Sequence, residues 1–187
     1  MPISIQQHCP VCDSRNTSLC IELEDVPIYC NVLYATREAS IAAPKGDIIL
    51  MFCRSCGHLY NGAFDPQKID YSLEYENSLH FSPRFCEYAD ALAEDLAERH
   101  DLHGKTIVEI ACGKGDFLAQ LCKKDGNRGI GFDPSYEPGR QSDQALQNVT
   151  IVQDYYSDRY ADIEADLICC RHALEHIESP QKFLSTV

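Results

Sequence analysis

Apolar and polar positions run to two different rhythms along this chain. From Lys105 onward, short apolar runs of strand length alternate with helical or turn-forming stretches. Strands are predicted at 106–111, 128–132, 149–153 and 165–170, with helices near 115–125 and around 138–147. The last strand, Ala165–Cys170, is apolar enough to be expected buried on both faces. Strands alternating with helices imply parallel pairing and right-handed crossovers. Just upstream, Phe85, Ala89, Leu92 and Leu96 form one stripe at helical spacing, while Glu87, Asp90, Glu94 and Asp95 fall on the opposite face. Ser82 suits the N-cap of that helix and Pro83 its first turn, and His100–Gly104 ends it.

The first 65 residues show no sustained helical period. They hold β-prone runs rich in Pro, Cys and Asn, with a plausible strand at Asp47–Phe52. The pattern therefore gives a β-rich segment over 1–65, a linker and helix over 66–104, and an α/β segment over 105–187. A helix started by Ser179-Pro180 closes the chain. The fold class expected is α/β, with an incomplete Rossmann-like parallel sheet behind a small β-rich domain.

Two C-x-x-C pairs, Cys9-Pro-Val-Cys12 and Cys53-Arg-Ser-Cys56, bracket the N-terminal segment. Each pair can turn both sulfurs to one side, and two such turns close a tetrahedral thiolate site for Zn²⁺. The gap between them exceeds that of a compact zinc ribbon, so the insertion must form its own substructure. A segment with so few large apolar residues gains most from a metal clip, and closed four-thiolate coordination makes that zinc structural. Redox dithiols or unliganded thiols are the other readings, and His8 and His58 stand next to the pairs as substitute ligands.

The chemistry of the second segment concentrates in Thr106–Leu118, TIVEIACGKGDFL. A strand runs into a glycine turn and then a helix. The dinucleotide fingerprint has a third glycine and delivers a pyrophosphate to the helix N-terminus. Here Gly113 and Gly115 are present, but Leu118 holds the third position and Asp116 opens the helix, where its carboxylate would repel a pyrophosphate. An acidic lining suits a nucleoside cofactor carrying a cation and no phosphate, as S-adenosylmethionine does. Glu109 lies inside the apolar strand, where an unpaired carboxylate is costly to bury, so it is expected to aim at a ligand or a buried donor. Asp133 ends the second strand, where an acid can accept both ribose hydroxyls or merely turn the chain before Pro134. Asp154 follows the third strand and can face an adenine amino group or begin a turn.

After the fourth strand comes Arg171-His172-Ala173-Leu174-Glu175-His176-Ile177. Ligands in open α/β sheets sit at strand carboxyl ends, which brings His172, Glu175 and His176 forward as candidate catalytic residues. The histidines have i, i+4 spacing, but the zinc-protease motif puts Glu directly after the first His, so a second metal is not expected. One of them can serve as a general base on the acceptor, or the stretch can simply shape a pocket wall.

With these residues in view, the chain resembles the class I S-adenosylmethionine-dependent methyltransferases. More narrowly, it resembles the group with an N-terminal zinc-binding domain that includes deoxysugar C-methyltransferases. The shared features are the cysteine pairs, the Tyr71–Tyr75 and Ser78–Ser82 link, Glu109–Gly115, Gly131–Pro134 and Ala165–Ile177. The resemblance implies cofactor contacts at Glu109, Gly113, Gly115, Asp133, Asp154 and the backbone near Arg171, with Tyr75, Ser78 and His80 bordering the pocket. It implies a small-molecule acceptor, such as a nucleotide-linked sugar. Family members have seven strands and this chain accounts for four. It is therefore expected to be an N-terminal fragment and a poor catalyst alone, with strand 165–170 as an uncovered edge that a partner copy could pair.

Charge and hydropathy narrow the partners. Sixteen basic against twenty-nine acidic residues give a net charge of −13, which argues against a nucleic-acid partner. No apolar run approaches the length of a membrane span and the N-terminus lacks a signal-peptide pattern, so a soluble cytoplasmic protein is expected. Two rivals keep the same motifs: a nicotinamide-dependent sugar oxidoreductase, and a zinc-binding interaction module without catalysis.

Overall fold

A computed structural model describes residues 5–29, 32–68, 81–123, 126–139 and 146–187. The chain divides into two compact units, Met1–Glu76 with Glu175–Ser185, and Asn77–Leu174 with Thr186–Val187. Tyr75, Ser78 and His80 lie outside the described residues, as does most of the helix expected around 138–147.

The first unit is built on an antiparallel sheet of β1 (Thr17–Pro27), β2 (Lys45–Cys53) and β3 (Leu59–Asn61), in that order. β1 is the longest strand and went unpredicted, although Leu19, Ile21 and Leu23 alternate with Cys20, Glu22 and Glu24. Its apolar residues are largely exposed, so the usual reward for the alternating pattern, a buried face, is missing. Bulges interrupt its register between Leu19 and Ile21 and between Leu23 and Val26. A single-turn helix, α1 (Arg37–Ile41), stands between the first two strands, and Thr36 Oγ1 caps it by accepting from Ala39 N at 3.1 Å. The pairing of Phe52 with Leu59 makes the chain turn immediately after Cys53. That turn carries the second cysteine pair.

The second unit is an α/β layer. Its helix α2 (Pro83–Arg99) starts where the sequence predicted, with Ser82 Oγ accepting from Phe85 N at 3.4 Å. Ala89 and Ala93 are its buried residues, while Phe85, Leu92 and Leu96 pack against the same core. Four parallel strands follow: β4 (Thr106–Ile110), β5 (Arg128–Phe132), β6 (Val149–Val152) and β7 (Leu167–Cys170), in the spatial order β6-β5-β4-β7. The order reverses at β4, which places the switch point at its carboxyl end. α3 (Asp116–Cys122) links β4 to β5 and buries Phe117, Leu118, Leu121 and Cys122.

β7 departs from the expectation of burial on both faces. Only Cys169 is buried and its neighbours are half-buried, because β7 is an end strand of this four-stranded sheet. Its start is fixed by Asp166, which accepts from Thr106 N at 2.9 Å and Lys105 Nζ at 3.0 Å. Gly126-Asn127 also does more than punctuate. Buried Asn127 accepts from Lys105 N at 2.9 Å and donates to the carbonyls of Leu102 and Leu121 at 2.9 and 3.0 Å. One side chain thereby ties together the turn before β4, the end of α3 and the start of β5. The closing helix, α4 (Pro180–Thr186), begins at Pro180 as expected.

Candidate functional site

The four cysteines of the two pairs converge in the first unit. Their sulfurs all lie within 4.8 Å of one another, with Cys9–Cys56 and Cys12–Cys53 each at 3.6 Å. A tetrahedron with arms of about 2.3 Å has edges of about 3.8 Å, so the donor set fits a zinc ion. Cys9 and Cys53 are buried, Cys12 and Cys56 exposed. Backbone turns set the sulfurs: Asp13 N donates to Cys9 O and Gly57 N to Cys53 O, each at 2.9 Å. Ser14 and Ser55, 2.8 Å apart, join the two knuckles. Burial raises the Cys53 thiol, but backbone hydrogen bonds from Cys56 and Ser55 and the Cys12 and Cys56 thiols outweigh it and bring it to about 6. This is the one cluster among the described residues able to hold a metal.

In the second unit the other predicted residues gather around the end of β4. Ala111, Gly113 and Gly115 take left-handed conformations at φ 56, 57 and 81°. Gly115 is doubly required, since a Cβ there would also come within 2.7 Å of Ile151. Gly131, opposite Glu109 in the sheet, leaves room that a Cβ would close by meeting Cys112 Sγ at 2.5 Å.

Glu109 is 3% exposed. Its Oε1 accepts from Arg171 Nε at 3.4 Å, while Oε2 has no partner among the described residues. Burial pushes its carboxyl up to about 7, against the pull of Arg171 and of the Leu118 backbone N–H. Asp133 is buried as well. Its Oδ2 accepts from Gly113 N at 2.8 Å and its Oδ1 from Ser135 N and Oγ at 2.9 and 2.6 Å. The Asx turn read at Asp133-Pro134 is therefore present, and the same carboxylate also props the glycine turn; about one of its four lone-pair directions stays open. Cys112 packs into this turn as a buried thiol, which burial pushes far above its ordinary range.

Asp154 follows β6 but is locally committed. It accepts from Tyr155 N at 2.8 Å and Tyr160 Oη at 2.7 Å and pairs with Arg159 at 3.1 Å. The Tyr160 hydrogen bond, backed by Tyr155 N and Arg159, holds its carboxyl below the usual range despite some burial. Tyr160 and Tyr156 in turn flank Phe132, with ring centroids 4.6 and 5.1 Å away.

His172 follows β7 at φ 52°, its ring 6.4 Å from that of Phe85. No helix follows β7 directly, and the next element is a short 3-10 turn at Leu174–His176. His172 and His176 accordingly do not share a helix face, and Glu175 and His176 group with the first unit while His172 belongs to the second. Sequence reasoning missed Phe117, Ser135 and Tyr160. The Asp-Pro-Ser spacing could have flagged Ser135, whereas the other two are brought in by tertiary packing alone.

A family model described as a methyltransferase domain matches residues 80–187. The chain belongs to that family. No curated protein matches it. Among solved structures, an S-adenosylmethionine-dependent methyltransferase from Geobacter sulfurreducens, in complex with S-adenosyl-L-homocysteine, is 19% identical with a TM-score of 0.40. That alignment covers 56% of this chain and 43% of that one. A putative rRNA-methylase from Clostridium thermocellum is 24% identical, with a TM-score of 0.26, covering 40% of this chain and 48% of that one. The chain thus spans less than half the length of either structure. No helix among the described residues of the methyltransferase chain is long and apolar enough to cross a membrane.

Proposed function

We propose that the methyltransferase domain binds S-adenosylmethionine at the carboxyl ends of β4 and β5 and methylates a small molecule, such as a nucleotide-linked sugar. The observation that carries this reading is the unpartnered Oε2 of buried Glu109, beside the glycine turn that Asp133 supports. A buried carboxylate oxygen without a donor is costly unless a ligand supplies one. Glu109 and Asp133 favour a cationic, phosphate-free ligand over a diphosphate.

When bound, S-adenosylmethionine supplies a methyl group on a positively charged sulfur. The chain's own residues would align that group with the acceptor, and alignment is where most of the rate is to be gained. Gly113 and Gly115, both at positive φ, leave the turn without side chains at those two positions. Asp133 has a lone-pair direction left for a ribose hydroxyl. His172, exposed just after β7, is our candidate to take a proton from the acceptor. In the first unit, Cys9, Cys12, Cys53 and Cys56 would hold a structural zinc.

Calorimetric titration with S-adenosylhomocysteine, alongside NAD, tests the cofactor reading. Binding of the former but not the latter is expected; tight NAD binding with no response to S-adenosylhomocysteine would overturn it in favour of an oxidoreductase. Metal analysis of purified protein tests the other half, with one zinc per chain expected.

A further inference from the structure

One face of the sheet in the first unit is covered and the other is bare. Cross-strand partners share a face, and faces alternate along each strand. The register therefore places Ile49, Met51 and Cys53 of β2 on one side, with Leu19 and Glu22 of β1 and Tyr60 of β3. Ile49, Cys53 and Tyr60 are buried there, the last two clustered with Cys9 and Val11. The opposite side carries Ile21 and Leu23 of β1, Ile48, Leu50 and Phe52 of β2, and Leu59 of β3. None of them is buried, and Ile21, Leu23 and Leu59 are 47, 44 and 52% exposed. No residue that the register pairs on this side is charged.

An apolar sheet face of this kind is what a second layer normally covers. Addition of a further strand along the edge is the poorer alternative. β1 is an end strand of the sheet, but its two bulges and its Glu22, Glu24 and Asp25 blunt that edge. The face has neither device. A basic partner would find no acid on it, and an acidic partner no base. The chain itself carries a net charge of −13, so two copies repel each other except where uncharged surfaces meet. We infer that this face is the contact between two copies of the chain, stacked sheet on sheet about a two-fold axis. Such packing sets the sheets about 10 Å apart and puts the same side chains on both sides of the interface.

The size of the patch sets the strength of the contact. It runs from the Ser18–Phe52 pair to the Val26–Gly46 pair. Strands about 4.8 Å apart, rising about 3.3 Å per residue, give it a plan of roughly 12 by 23 Å. Side chains stand proud of that plane, so two copies together bury on the order of 1,000 Å², near the lower limit for a specific association. The dimer is therefore weak and reversible, half formed at roughly tens of micromolar. Apolar burial drives it and the charge on the rest of the chain opposes it, so salt tightens it.

Sedimentation equilibrium of the intact chain tests this between about 1 and about 500 µM, at low and at high salt. The weight-average mass should rise toward twice the monomer value, and association should be roughly severalfold tighter at high salt. Ile21→Lys and Leu23→Lys, both at exposed positions, should hold the chain monomeric throughout. Leu19→Lys, at a residue 55% exposed on the opposite face, should leave dimerisation unchanged. If either of the first two variants loses its far-ultraviolet circular dichroism, Leu59→Lys on β3 reads the same surface with the same expectation. A wild-type chain that stays monomeric at the highest concentration overturns the inference. So does a dimer that survives Ile21→Lys or Leu59→Lys, one that Leu19→Lys abolishes equally, or one that weakens as salt rises.

Discussion

In the first unit the contiguous buried cluster consists of Cys9, Cys53 and Tyr60, with Val11 and Met51 packed against it. In the second it runs from Ala89 and Ala93 through Leu102, Ile107, Phe117, Leu118, Leu121 and Cys122 to Cys169. Two of the three buried residues of the first cluster are thus metal-ligand candidates. Leu19, Ile21 and Leu23, which could have supplied apolar burial there, are exposed. A small sheet with so little to bury needs a covalent or metallic constraint, whereas the α/β unit can pay its conformational entropy through ordinary burial. The same contrast appears in the polar groups. In the first unit Ser14 and Ser55 join the two cysteine knuckles, while in the second Asn127 and Asp166 fix strand starts and Asp133 props the glycine turn.

The largest effect should come from breaking the proposed zinc site. Chelation, or Cys53→Ser, is expected to abolish the protected amides of β2 and β3, since structural zinc contributes on the order of 10 kcal/mol to such folds. Amides of β4 and β5 should keep their protection in the same hydrogen-exchange experiment. Loss of protection in both units together would erase the contrast.

Next in size is a pH effect confined to the second unit. Folded Glu109 keeps its proton up to about 7, against a reference of 4.5 for the unfolded chain. Between those values the folded state binds more protons, so this contribution to stability is whole below about 4.5 and fades as pH rises to about 7. The difference is worth about 3 kcal/mol. Denaturant midpoints of the second unit should fall over that interval, and Glu109→Gln should flatten the slope. An unchanged slope in the variant would place the titration elsewhere.

Asn127→Ala should lower the stability of the second unit by about 2 kcal/mol, because three buried backbone groups lose their partner. The first unit should not respond. The smallest change expected is a gain. Ala111 sits at φ 56°, where a Cβ is strained, so Ala111→Gly should stabilise the second unit by about 0.5 kcal/mol in thermal unfolding.

What the chain's residues decide alone is mostly what depends on neighbours in sequence. The stripe of α2, its Ser82-Pro83 start, the β5 boundaries and the glycine turn are local matters of period, capping and backbone freedom, and each was legible. The two cysteine pairs announced their own geometry for the same reason: each knuckle is built within four residues. β1 was not legible, because its alternation meets no covering layer and its register is set by β2. The near-burial expected of β7 failed because apolar character says what a strand could bury, while its place at the end of the sheet says what it does bury. The candidate site shows the division most clearly. Glu109, Asp133 and Arg171 could each be suspected from strand ends, but Arg171 lies 62 positions beyond Glu109. Only the parallel pairing of β4 with β7, and Phe117 of α3 against the guanidinium, brings Arg171 to Glu109, with Glu109 Oε2 and Arg171 Nη1 left without a partner among the described residues. Such a meeting is a property of tertiary distance, which no local pattern encodes.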